Sequence, residues 1–85
     1  MTTDSMVSGS QMRAARGLLA MSSRELAELS GIGWATIRRL ELSDGVPESR
    51  RSTLEKIRAA LEGQGIEFLG DPFTSPGVRL NRKPR

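Results

Sequence analysis

The stretch Ser22–Leu42 reads SSRELAELSGIGWATIRRLEL, and the fold turns on it. Ser22 and Glu25 have the spacing of a capping box, in which the serine oxygen accepts from the third amide of a helix and the glutamate reaches back to the serine amide. A short helix therefore starts at Ser23 and runs to about Leu29, with Leu26, Ala27 and Leu29 as its apolar contacts. Ser30-Gly31-Ile32-Gly33 ends it, and Gly31 suits the left-handed conformation at a helix C-terminus. A second helix follows from Trp34 to Leu42, with Ile37 and Leu40 on its inner face. At ~100° per residue, Ala35, Arg38, Arg39 and Leu42 then point outward, and Trp34 sits at the exposed N-terminal end. Ala27 is small where the two helices cross, and Ile32, Ile37 and Leu40 fill the core beneath them.

Upstream, Met12, Ala15, Arg16 and Leu19 recur at helical spacing and predict a helix over Gln11 to Leu19. Arg16 interrupts its apolar face. Residues 1–10, rich in Ser and Thr, are expected to form a flexible N-terminal arm, with Ser8 or Ser10 capping the helix that follows. Downstream, Ser43 to Pro47 is turn chemistry. Ser52 and Glu55 form a second capping box and start a fourth helix to about Glu62, lined by Leu54, Ile57 and Leu61. Gly63 or Gly65 stops it. The period then changes: Ile66–Leu69 and Val78–Leu80 read as two short strands of a hairpin, with Gly70-Asp71-Pro72 and Ser75-Pro76-Gly77 as turns. The expected organisation is an arm (1–10), a helical domain (11–62), a strand-hairpin segment (63–80) and a basic tail (81–85).

Composition narrows the function. The chain has 85 residues, with no cysteine, histidine or tyrosine. That allows one small domain without disulfides. It excludes Cys and His nucleophiles, Ser-His-Asp triads and most transition-metal sites, so no cofactor and no enzyme activity are expected. No apolar run approaches the ~20 residues of a membrane span, and residues 1–10 lack the positive start of a signal peptide; no membrane contact and a cytoplasmic location are the expectations. Thirteen Lys and Arg stand against ten Asp and Glu. Four of the basic residues, Arg79, Arg82, Lys83 and Arg85, lie in an acid-free terminal segment, and without it the balance is nine to ten. A case for nucleic acid must therefore rest on where the charges sit.

Two short helices joined by a tight glycine turn, the second presenting arginines outward, make a helix-turn-helix. The segments Arg16–Ala27 and Ser30–Glu41, followed by Pro47 and Leu54–Leu61, resemble the lambda-repressor-like family, also known as Cro/C1-type or XRE, over about residues 11–62. The resemblance implies a mainly α fold: a four-helix helix-turn-helix domain, here with a short C-terminal β-hairpin where the family has a fifth helix. Ser23 stands where the family often has Gln, and Gly33 where it has Ser or Thr. The loop after Pro47 is about two residues longer than is common.

The implied function is sequence-specific binding of double-stranded DNA by a small transcriptional regulator, a repressor or activator, acting as a homodimer. Trp34, Ala35 and Arg39 occupy the family's base-reading positions, with Arg38 beside them. Arg39 suits guanine and Ala35 a thymine methyl. Trp34 either meets the DNA or is partly buried against the first helix or the long loop. Phosphate contacts are expected from Ser23, Arg24 and Thr36, and from Arg50, Arg51 and Ser52 at the start of the fourth helix. The resemblance also pairs Arg16 with Glu41 as a partly buried salt bridge. The hairpin residues Ile66, Phe68, Leu69, Val78 and Leu80 either form the dimer interface or fold back to close the monomer's own core. The alternative function is a protein-interaction adaptor, or an antitoxin-type partner of a toxin, built on the same fold.

Overall fold

Two serine caps fix the start of the first two helices in the computed structural model, which describes residues 6–82. Ser8 accepts from the Gln11 amide at 3.0 Å while its own amide donates to the Gln11 side chain at 2.9 Å. Helix α1 consequently runs Gly9–Leu19. Ser22 and Glu25 make the same reciprocal pair at 3.0 and 2.8 Å, and α2 runs Ser23–Ser30. Gly31 closes α2 in the left-handed region at φ 75°, as the sequence predicts. Helix α3 is Trp34–Glu41, α4 is Arg51–Gly63, and strands β1 (Ile66–Leu69) and β2 (Gly77–Leu80) form a two-stranded antiparallel sheet.

Inward-facing positions of every element meet in one core. Val7, Met12, Ala15, Leu26, Ile37, Leu40, Ile57 and Leu61 are fully buried, with Ala27, Leu54 and Ile66 nearly so. Each large aliphatic side chain removed from water in this way contributes about 1.5–3 kcal/mol relative to exposure. Leu19, Ile32 and Trp34 pack against the same core, half-buried. Leu29 does not join it and is 45% exposed.

Two further expectations are corrected. The arm does not extend to Ser10: Val7 is in the core, and the Gly9 amide donates to the Gly45 carbonyl at 2.9 Å. A Cβ on Gly9 would stand 1.8 Å from the Ser43 carbonyl oxygen, so only glycine permits this approach of α1 to the turn after α3. Residues 1–5 and 83–85, covering the rest of the arm and most of the basic tail, lie outside the described residues. The second capping box does not form. Helix α4 starts two residues early, at Arg51, with Arg50 rather than Ser52 in the cap position and no side-chain cap bond. Glu55 pairs instead with Arg51 at 3.4 Å, one turn away.

The hairpin follows one of its two expected readings. Its register pairs Ile66 with Leu80 and Phe68 with Val78, which puts all four apolar side chains on one face. That face packs on the molecule's own helices: Ile66 is buried, and Phe68, Val78 and Leu80 are half-buried against the core. Gln11 on α1 donates to the carbonyls of Gly77 and Leu69 at 3.0 and 3.4 Å. The opposite face carries Glu67 and Arg79, paired at 2.8 Å. Arg79 and then Asn81 hold the Glu67 carboxyl below its ordinary value by hydrogen bonding. Of the two readings of these residues, Ile66, Phe68, Val78 and Leu80 follow the one in which they fold back on their own monomer, while Leu69 lies on the outer face and is half-buried. Among the described residues no helix is long and apolar enough to cross a membrane.

Candidate functional site

The α2–α3 pair is built so that α3 is held from beneath and open above. Ile37 and Leu40 anchor its inner side, both fully buried. Ala35, Arg38, Arg39 and Leu42 are exposed, as the helical spacing predicts. With Trp34 they line a shallow depression of about 300 Å³ on the outer face. Leu42 is 85% exposed. Gly33 caps α3 without a side-chain hydrogen bond.

Trp34 is half-buried against the core, and its polar and cationic contacts are Ser23 and Arg24 at the start of α2 and Arg38 on α3. Its indole Nε1–H donates to Ser23 Oγ at 2.8 Å. The Arg24 guanidinium carbon lies 3.8 Å from the ring centroid and that of Arg38 lies 5.0 Å away. Nothing in the sequence announces this contact. The partners are 11 residues apart across a turn, and only the crossing of the two helices brings them together.

The Arg16–Glu41 pair forms as the resemblance implies. Arg16 Nε donates to Glu41 Oε2 at 2.8 Å and Nη2 to Oε1 at 2.6 Å, a two-pronged contact. Nη1 also donates to the Met21 carbonyl at 3.0 Å. The hydrogen bond to Glu41 holds the Arg16 guanidinium above its ordinary pKa. A second clamp was not anticipated: Arg13 Nη1 donates to the Glu41 carbonyl, and Nη2 reaches Asp44 Oδ1 at 2.7 Å. Arg13 stands three residues before Arg16, on the side of α1 that faces the end of α3. That spacing was the one available signal. Together the two arginines tie α1 to the C-terminal turn of α3.

Arg50, Arg51 and Ser52 are exposed at the start of α4, and Thr36 is half-buried on α3. The distribution of ion pairs matters more than the net charge. Arg13, Arg16, Arg51, Arg58 and Arg79 each pair with a carboxylate. Among the described residues Arg24, Arg38, Arg39, Arg50 and Arg82 do not; the first four are predicted contact residues, as is the paired Arg51. The carboxylate nearest this surface in sequence, Glu25, is engaged by the Ser22 amide, which holds it below its ordinary value. No protein-family model matches the chain, and no curated protein matches it significantly.

Proposed function

We propose that this protein binds double-stranded DNA sequence-specifically as a small transcriptional regulator of the lambda-repressor-like type, with α3 as the recognition helix in the major groove. One observation carries the reading. Two eight-residue helices are joined by a glycine-flanked turn, and the second turns Ala35, Arg38 and Arg39 to solvent while Ile37 and Leu40 fix it to the core. A helix docked in this way presents its N-terminal residues to base edges. Arg39, without an ion pair among the described residues, takes the two acceptors of guanine through its fork, and Ala35 meets a thymine methyl. Ser23, Arg24 and Thr36, with Arg50, Arg51 and Ser52 at the start of α4, take backbone phosphates.

A homodimer is part of the proposal. A single α3 spans only one half-site, and two copies read a palindrome with half-sites about 34 Å apart or a multiple of that. Because the apolar face of the hairpin is occupied within the monomer, the copies meet through the open backbone edges of the sheet. The adaptor or antitoxin reading has one observation on its side, the exposed Leu42 beside the arginines. Selection from random duplexes, followed by binding of the selected sequence over a range of salt, separates the two. A DNA reader enriches a motif and loses affinity steeply as salt rises. A protein that enriches nothing and shows no salt-dependent binding is not a DNA reader.

A further inference from the structure

Resting on that DNA-binding reading, we propose that Trp34 is a positioning residue rather than a base reader, and that with Ser23, Arg24 and Arg38 it forms a clamp for one backbone phosphodiester. Trp34 has a single polar handle, its indole N–H, and Ser23 Oγ takes it at 2.8 Å. The ring packs half-buried against the core with two guanidiniums within 5.0 Å of its centroid. A side chain so engaged has no hydrogen-bond donor left to spend on a base edge.

The charges point to the ligand. Arg24 and Arg38 are drawn to one ring from two different helices, although like charges repel. Arg24 leans on the indole and makes no ion pair with Glu28, one turn along α2, among the described residues. The electron-rich face of tryptophan attracts a guanidinium and so holds both cations in place without neutralising them. The partner that suits un-neutralised guanidiniums gathered beside one ring is an anion with several oxygens, and a phosphodiester has this chemistry. Ser23 completes the set. Its oxygen accepts from Trp34, so its own O–H is free to donate. Base reading is thereby left to Ala35 and Arg39.

The test uses the full chain and the duplex selected by the wild type. Arg24→Ala and Arg38→Ala change exposed side chains and leave the core intact. Each should lower the slope of log affinity against log salt by about one unit and leave the selected motif unchanged. Trp34→Ala should weaken binding to every duplex about tenfold with the same motif. Trp34→Phe, which keeps a ring under the arginines, should stay within about threefold of wild type. In the free protein, Ser23→Ala should shift the indole N–H resonance. An Arg38→Ala or Trp34→Ala variant that selects a different base at one position, with an unchanged slope, overturns the clamp and makes that residue a reader. A Phe variant as weak as the Ala variant, or an unmoved indole resonance, overturns it too. A wild type that shows no salt-dependent duplex binding removes the DNA-binding reading and the clamp with it.

Discussion

Replacing Arg16 by methionine should cost this protein a large part of its stability, and replacing Glu41 at the same time should restore most of it. The Arg16 side chain is 22% exposed and that of Glu41 8%, so the carboxylate sits almost entirely out of water. It is satisfied there by two short charge-assisted bonds from one guanidinium. Methionine removes both and leaves the carboxylate buried. Arg13 cannot take over, because its guanidinium is committed to the Glu41 carbonyl and to Asp44. Breaking a buried pair from one side typically costs ~3–5 kcal/mol. A domain of this size holds only ~5–15 kcal/mol in total. The melting temperature of Arg16→Met should therefore fall by roughly 15–30 °C. Arg16→Met with Glu41→Leu leaves no orphaned charge and should regain most of that loss, since apolar replacement of a whole buried pair is often neutral. The assay is thermal and urea denaturation of the four proteins of the cycle. Losses that add within about 0.5 kcal/mol would refute the argument, because the two residues would then not interact.

Four other changes have defined outcomes. Arg39→Ala should relax preference at one base position and cost about 1–3 kcal/mol on the selected site, read by repeating the selection; equal weakening on all sequences would make Arg39 a phosphate contact. Ala20 closes α1 at φ 52°, a conformation that suits glycine, so Ala20→Gly should raise stability by about 0.5–1 kcal/mol in urea denaturation. Truncation after Gly65 removes Ile66, buried in the core, and the carbonyls that bind Gln11; the shortened chain should lose its cooperative melt by circular dichroism, and a melt within a few degrees of the full chain would contradict the packing of the hairpin. Glu25 has its pKa lowered by the Ser22 amide, so its contribution is complete above the ordinary value of 4.5 and is lost as pH falls through the lower native value; Glu25→Gln, which keeps an acceptor but does not titrate, should lose less stability than wild type over that acid range.

The helices were legible where a local rule and the core agree. Ser22, Glu25 and Gly31 act through backbone groups within a few residues of themselves, so spacing alone locates them. Ser52 and Glu55 satisfy the same rule on paper, yet Arg51 offers Glu55 a partner one turn away and α4 begins earlier. The segment Val7–Ser10 was illegible for the opposite reason. Its small polar residues read as mobile, and only the backbone of Ser43 and Gly45, far away in sequence, shows that Gly9 must be a glycine. The hairpin was legible as an alternation but not as to what covers it. An apolar face must be covered by something, and a period of two does not distinguish a second chain from α1 and α4.

The candidate site was legible in its residues but not in its charge. Apart from the terminal basic cluster the chain is nearly balanced, and a face bearing three arginines, of which Trp34 gathers two, is invisible in such a sum. Asp44 and Glu41 tie the end of α3 to α1 and Glu67 pairs across the hairpin, while Glu55 and Glu62 pair with arginines one turn away within α4. Among the described residues these pairs neutralise five arginines and leave Arg24, Arg38 and Arg39 on α2 and α3, Arg50 before α4, Lys56 on α4 and Arg82 without an ion pair. Exposed charges separated by more than ~8–10 Å are screened at physiological salt, so a partner meeting this surface responds to the charges local to it rather than to the sum over the chain. On the proposed DNA-binding reading, the pairing pattern of the folded chain, rather than its composition, is what brings α3 to the phosphate backbone.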